Sequence, residues 1–100
     1  MSTREHRLLL RLFVAGDSPD SAIAIANLEA LFPEDESSHV EIEIVDVQRD
    51  PARAARDRIM VTPTLLKVSP SPPCRILGNL KHRDALLQLL GVELPRPGPS

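Results

Sequence analysis

Cysteine is almost missing from this chain, and so are the larger aromatic residues. Cys74 is the only cysteine among 100 residues, so no internal disulfide can form and a reducing, cytoplasmic setting is expected. The sequence contains two phenylalanines and neither tryptophan nor tyrosine, which leaves little for stacking on bases or sugars. These shortages weigh against a disulfide-stabilised secreted domain and against aromatic recognition of nucleic acid.

Long apolar runs and an excess of one charge are also lacking. No run approaches the roughly 18–20 residues of a membrane-spanning helix. The 12 Lys and Arg and the 14 Asp and Glu residues are interspersed and give a net charge of −2. General binding to nucleic acid or to an anionic membrane is therefore not expected. The length suits one small domain, which we place at residues 1–94, with a disordered proline-rich tail at 95–100.

The first half of the chain has clear signals for a strand, a helix and a second strand. The apolar run at 8–14 is typical of a strand buried on both faces in a sheet with parallel neighbours. Ser18 and Pro19 are an N-cap residue and a proline at the first helical position, so a helix is predicted from there to Pro33. Apolar residues alternating with glutamates predict a strand over 40–47.

The second half predicts a short helix, two strands and a last helix. Asp50 and Pro51 repeat the cap-and-proline signal. The helix after them should turn its apolar residues inward and its basic ones outward. The inward set is Ala52, Ala55 and Ile59, and the outward set is Arg53, Arg56 and Arg58. Strands are predicted at 64–68 and 74–77, and their short connection leaves no room for a crossover helix, so they must form an antiparallel hairpin. Asn79 is predicted to cap the last helix.

The resulting order, β-α-β-α-β-β-α, predicts an α/β fold of the thioredoxin-like type. Thr62-Pro63-Thr64 at the entry to the third strand supports this prediction, because such folds place a proline there and X-Pro bonds tolerate the cis form. The cysteine pair that such folds carry after the first strand is absent, and the segment 15–18 reads Ala-Gly-Asp-Ser instead. A thioredoxin-like fold without its cysteine pair is expected to have a function other than thiol redox chemistry.

No cluster of side chains in the sequence assembles a catalytic or metal site. Cys74 lies in an apolar strand, where a lone thiol usually packs as a small hydrophobic side chain. Gly16 fits a tight turn better than a phosphate loop, since GxGxxG and a Walker lysine are absent. Asp46 has no acid–base partner and is expected to cap the next turn. The histidines lack metal-ligand spacing: His6, His39 and His82. We predict a protein that is not an enzyme and has no cofactor.

Several blocks of the sequence, taken in order, resemble the KaiB family of circadian clock proteins. They are Leu12–Gly16, Ser18–Ser21, Val45–Val47, Asp50-Pro51, Val61–Val68 and Arg75–Leu80. The resemblance extends from about residue 8 to residue 90. It implies metamorphism: a monomeric thioredoxin-like form that binds a partner, and a resting form, often tetrameric, of order β-α-β-β-α-α-β. The two forms differ after about residue 50.

The resemblance also implies partners. KaiB-like proteins bind the N-terminal ring of the hexameric ATPase KaiC and, in cyanobacteria, then sequester KaiA. Basic residues recur in the family at Arg58, Lys67 and Arg75, which we predict as interface charges. Ile23 and Glu43 stand where cyanobacterial relatives tend to be basic. These departures put KaiA binding in question and suggest a divergent or non-cyanobacterial member serving stress adaptation or a simpler timer.

Residues that hold or switch the fold are predicted on the same basis. Four prolines lie in the part of the chain that differs between the two folds, and Asp46 lies just before it. The prolines are Pro63, Pro70, Pro72 and Pro73. The resting form is expected to be able to assemble as a homo-oligomer, either a dimer or a tetramer. Two alternatives to a KaiC-binding regulator stay open: a redox-inactive sensor module, like the input domain of the clock kinase SasA, and a monothiol oxidoreductase using Cys74.

The last predicted helix gives a first testable prediction. Residues 85–90 contain four leucines and one alanine and no glycine, which raises helix propensity. We therefore expect the thioredoxin-like form to be less rare here than in relatives, with helical NMR chemical shifts at residues 86–90. A resting oligomer whose shifts place all of residues 86–90 in a strand would refute this.

Overall fold

The computed structural model describes residues 8–33 and 40–90. The elements in chain order are β1 (Leu8–Val14), α1 (Pro19–Leu31), β2 (Val40–Asp46), α2 (Pro51–Arg56), β3 (Thr64–Ser69), β4 (Cys74–Leu77) and α3 (Arg83–Leu90). The predicted order β-α-β-α-β-β-α is confirmed. The tail predicted at 95–100 and the domain end predicted at residue 94 lie outside the described residues. In the described part of the chain no helix is long and apolar enough to cross a membrane.

The four strands form one mixed sheet in the order β2-β1-β3-β4. β1 pairs in parallel with β2, from Leu8 opposite Val40 to Val14 opposite Asp46. On its other side β1 is antiparallel to β3, so the parallel neighbours predicted for this strand are found on one side only. β3 and β4 form the predicted antiparallel hairpin. β1 is therefore an inner strand, with a paired strand on each side.

Local sequence explains where α1 begins. Ser18 has extended backbone angles, and its Oγ accepts a hydrogen bond from the backbone N–H of Ser21 at 3.1 Å. Pro19 follows at the first helical position, where its missing N–H removes no helical hydrogen bond. The side of α1 that carries Ala24 and Leu28 is buried. The cap satisfies one N–H of the first helical turn.

The main core lies on one side of the sheet, between the sheet and helices α1 and α3. Leu10, Leu12 and Leu65 of the two inner strands have no exposed surface. Leucines of α3 pack against the same cluster: Leu86, Leu87 and Leu90. Among the helices of the described residues, α1 and α3 therefore share one face of the sheet, and the short α2 lies on the opposite face.

The start of α3 differs from the prediction that Asn79 caps it. The helix begins at Arg83, and the first helical hydrogen bond is accepted by the carbonyl of His82 from the N–H of Leu86, at 2.9 Å. The Asn79 carbonyl instead accepts a bond from Asn27 Nδ2 of α1 at 2.9 Å. Leu80 has a positive φ of 67° and is buried. The chain uses residues 79–82 to insert Leu80 into the core rather than to form a helical turn.

The burial pattern of α3 predicts a sharp difference between two of its leucines. Leu86 is 3% exposed and Leu89 is 58% exposed. Leu86→Ala should lower the free energy of unfolding by about 2–5 kcal/mol, because it removes buried methyl groups and leaves a cavity. Leu89→Ala is the matched control and should change it by less than about 0.5 kcal/mol. Urea unfolding measures both, and equal losses would contradict the packing described.

Candidate functional site

The face of the sheet that carries α2 is polar at its centre. Arg11, in the middle of β1, donates from Nε to Glu43 Oε1 of β2 at 2.9 Å and from Nη1 to Asp57 Oδ2 at 2.9 Å. Arg53 of α2 lies 2.8 Å from the same Glu43 oxygen. The guanidinium of Arg11 therefore joins the central strand to both the edge strand β2 and the end of α2.

Two groups of this network, Glu43 and Arg11, have shifted pKa values. Hydrogen bonds from Arg53 and then from Arg11 lower the pKa of Glu43 below its ordinary value. Burial by itself would lower the pKa of Arg11, but its bonds to Glu43 and Asp57 raise it overall. Both groups are thus held in their charged forms at neutral pH. An arginine inside an otherwise apolar strand was the sequence signal for this network, since a half-buried charge requires partners.

The inner side of α2 differs from the prediction. Ala52 and Ala55 are exposed, whereas Arg53 and Ala54 are half-buried, and no residue of α2 is fully buried. Of the predicted outward set, Arg56 and Arg58 are exposed. The reason is that the sheet presents Glu43 rather than an apolar surface at this place. The helix therefore rotates its arginine toward the carboxylate.

The C-terminal end of α2 has an unusual residue. The N–H of Ile59 bonds to the carbonyl of Ala54 at 2.9 Å, and that of Arg58 bonds to Ala55 at 3.1 Å. This is the Schellman arrangement, which requires a left-handed residue and usually has glycine there. Arg58 occupies that position with φ of 57°. From β4, Arg75 donates Nη1 to the Arg58 carbonyl and Nη2 to the Asp57 carbonyl, both at 2.8 Å.

A shallow groove of about 540 Å³ runs between the end of α2 and the β3–β4 hairpin. Its charged lining residues are Arg11, Arg56, Asp57, Arg58, Lys67 and Arg75. Asp57 is the one carboxylate among them, and it is bonded to Arg11. Arginines therefore exceed carboxylates around the groove, and such a surface suits a partner that carries carboxylates.

The three predicted interface charges do not have the same surroundings. Arg58 and Arg75 are brought together at the end of α2. Lys67 borders the groove but is only 6% exposed, and its neighbours across the sheet are Leu10 and Cys74 on the core side. The interface role of each stays a prediction.

The predicted fold and switch residues are distributed over two regions. Asp46 Oδ1 accepts from the N–H of Gln48 at 2.9 Å and of Gly16 at 3.2 Å, and so links the two turns that follow β1 and β2. Pro63 is buried, with a cis bond before it, and its carbonyl accepts from the N–H of Gly78 at 3.0 Å. The remaining three lie exposed in the hairpin connection: Pro70, Pro72 and Pro73.

Among the residues that the structure describes, the other reactive side chains are not assembled into a site. Cys74 is half-buried against the core, and its Sγ lies 3.6 Å from the carbonyl oxygen of Leu89. His82 lies exposed before α3. Within residues 8–33 and 40–90, no group of three His, Cys, Asp or Glu residues could hold a metal ion. The arginine-lined groove is therefore the candidate functional site.

The sequence is similar to known clock proteins over nearly its whole length. The KaiB domain profile matches residues 11–92. The circadian clock protein KaiB3 of Synechocystis sp. is 40% identical over 93 residues, which cover 93% of this chain and 89% of the relative. The circadian clock oscillator protein KaiB of Microcystis aeruginosa is 35% identical over 94 residues, covering 94% and 88%. The chain belongs to the KaiB family.

Solved structures similar to this KaiB-family chain confirm its thioredoxin-like fold. A thioredoxin of Fasciola hepatica superposes with a TM-score of 0.70 and 22% identity, over 88% of this chain and 82% of the thioredoxin. The N-terminal domain of SasA from Synechococcus elongatus gives 0.66 and 25% identity, over 84% and 80%. The fold is thus shared with a thioredoxin and with the SasA N-terminal domain.

The lowered pKa of Glu43 predicts a pH dependence for this KaiB chain. A carboxylate with a lower pKa when folded stabilises the fold above its unfolded-state pKa, and this stabilisation is lost as the pH falls through the folded value. Glu43→Gln should therefore reduce the free energy of unfolding at pH 7 by less than about 1 kcal/mol, because the pair is partly exposed to solvent. The difference from wild type should shrink as the pH falls below 4.5, the ordinary value.

Urea unfolding from pH 7 to pH 3 measures this difference. Glu29→Gln on the exposed side of α1 is the control, since Glu29 takes no part in the Arg11 network. A Glu43→Gln effect that stays constant or grows on acidification would contradict the assigned ion pairs.

Proposed function

We propose that this protein is a non-catalytic regulator that binds the N-terminal ring of a hexameric KaiC-type ATPase and modulates a circadian or stress-related timer in the cytoplasm. Membership of the KaiB family supports the clock role, since the relatives named above are circadian clock proteins. The observation that carries the binding proposal is the arginine-lined groove on a thioredoxin-like scaffold. A scaffold of this type without a cysteine pair has lost its redox chemistry but keeps a surface for protein contact.

The groove supplies charge for a partner with carboxylates. Arg56 and Arg58 are exposed at the end of α2, whereas Arg11 is already bonded to Glu43 and Asp57. The first two are therefore the cations available to an incoming acidic surface. Such complementarity raises the rate of association and fixes the orientation of docking, and it weakens as salt screens the charges.

A change of fold is the proposed route of regulation. The segment that would refold begins at about residue 50 and includes α2, which is attached to the sheet by ion pairs rather than by a buried apolar side. Binding to KaiC would draw the population toward the thioredoxin-like form, since a ligand shifts an equilibrium by its difference in affinity for the two states. A dimer or tetramer is proposed for the resting form. KaiA is not proposed as a partner.

A redox-inactive sensor module is the second candidate function. The likeness to the SasA N-terminal domain, at 25% identity, favours this alternative over an enzyme. Both candidate functions, the KaiC-binding regulator and the sensor module, use the fold for protein recognition. They differ in whether KaiC itself is bound by the isolated chain.

Incubation with KaiC tests the proposed function. A phosphorylation-mimicking KaiC hexamer with ATP is mixed with the purified protein, and the complex is followed by size exclusion over hours. Arg58→Glu should weaken binding by about tenfold or more, because it reverses a charge in the groove. Arg83→Glu on α3 is the matched control, since Arg83 is also exposed and lies outside the groove, and it should leave binding unchanged.

The time course separates the outcomes. Slow appearance of the complex supports binding limited by a conformational step, whereas rapid appearance supports the partner with the binding fold already populated. No complex with KaiC would overturn the proposal and favour the sensor module. Equal losses in the two variants would show that the groove is not the contact surface.

A further inference from the structure

The position of Arg58 is costly for any residue except glycine. It is the left-handed residue of the Schellman arrangement, with φ of 57°, and an L side chain there crowds its own backbone. Its side chain is exposed, so it adds no core packing. Within residues 8–33 and 40–90 its guanidinium has no recorded hydrogen bond or ion pair. A strained backbone with an exposed, unengaged cation indicates a side chain kept for an external contact.

The guanidinium of Arg75, unlike that of Arg58, is held by hydrogen bonds within the protein. Its two terminal nitrogens each donate to a backbone carbonyl, of Arg58 and of Asp57, at 2.8 Å. These carbonyls are at the end of α2, where the last carbonyls of a helix lack partners and carry partial negative charge. The terminal nitrogens are also the pair that a carboxylate would need for a two-point contact. In this arrangement Arg75 cannot offer that contact to a partner without releasing α2.

We infer that Arg75 is a positioning residue, which holds the end of α2 so that the strained Arg58 presents its guanidinium at the groove. This inference deepens the proposed function and rests on it for the identity of the partner. It separates two arginines that the sequence places in one class: Arg58 contacts the partner, and Arg75 acts through Arg58.

A double-mutant cycle tests the division of roles. The variants are Arg75→Gln, Arg58→Ala and their combination, with KaiC hexamer as the probe and the dissociation constant as the readout. Arg58→Ala keeps the strained backbone and removes the side chain beyond Cβ, including the guanidinium, and it should weaken binding by about tenfold. Arg75→Gln should weaken binding several-fold in the wild-type background and not at all in the Arg58→Ala background. Arg75→Lys, which can still donate to one carbonyl, should restore part of the loss.

Arg58→Gly separates binding from stability. Glycine adopts the left-handed conformation without crowding, so this variant should raise the urea midpoint while weakening KaiC binding. A variant that is more stable and binds less well cannot be explained by partial unfolding. Arg83→Gln is the control for loss of an exposed arginine elsewhere.

Three results would overturn the inference. An equal loss from Arg75→Gln in both backgrounds would show that Arg75 contacts the partner directly. Full binding by Arg58→Gly would show that the Arg58 side chain is not used. If wild type does not bind KaiC, the proposed function fails. The positioning role of Arg75 is then tested by amide exchange at Ile59, whose N–H bonds to the carbonyl of Ala54. Arg75→Gln must speed that exchange relative to Arg83→Gln, and unchanged exchange would overturn the positioning role.

Discussion

A charged side chain in the middle of the central strand determines how the two faces of this sheet are used. Arg11 cannot be covered by an apolar helix, because a half-buried guanidinium must keep its hydrogen bonds. Glu43 and Asp57 supply those bonds. Helices α1 and α3 therefore pack their leucines on the opposite face, and the Arg11 face takes a six-residue helix attached by charge. The candidate site lies on this charged face.

Sequence patterns predicted the elements whose signals are local. Ser18 with Pro19 marks the start of α1, and the short link between 64–69 and 74–77 leaves only a hairpin. The patterns failed where the structure of a segment depends on residues that are distant in the sequence. Arg11 and its partners Glu43 and Asp57 are 32 and 46 residues apart, so the inner side of α2 could not be inferred from its own six residues. The start of α3 depends on where Leu80 packs into the core, and this packing is also set by tertiary contacts.

The candidate site, too, could be predicted only in part from the sequence. The resemblance to KaiB proteins pointed to Arg58, Lys67 and Arg75 as residues of one kind, a set of basic positions. Their surroundings are different: one is exposed on a strained backbone, one is almost fully buried, and one is bonded to two carbonyls. Charge can be read from a sequence, but whether a charge is free to meet a partner depends on hydrogen bonds that only the folded chain reveals.

The attachment of α2 by ion pairs has a thermodynamic consequence of its own. No residue of this helix is fully buried, but Phe13 and Val45, which are 0% and 5% exposed, lie on the same face of the sheet as Arg11 and Glu43. Sensitivity to denaturant and the heat-capacity change both scale with exposed surface. The m-value and heat-capacity change of a fluctuation that releases α2 should therefore depend on how much of Phe13 and Val45 it uncovers, and the fluctuation should become more frequent as salt screens the ion pairs. Such an opening is local and is separate from the cooperative melting of the leucine core.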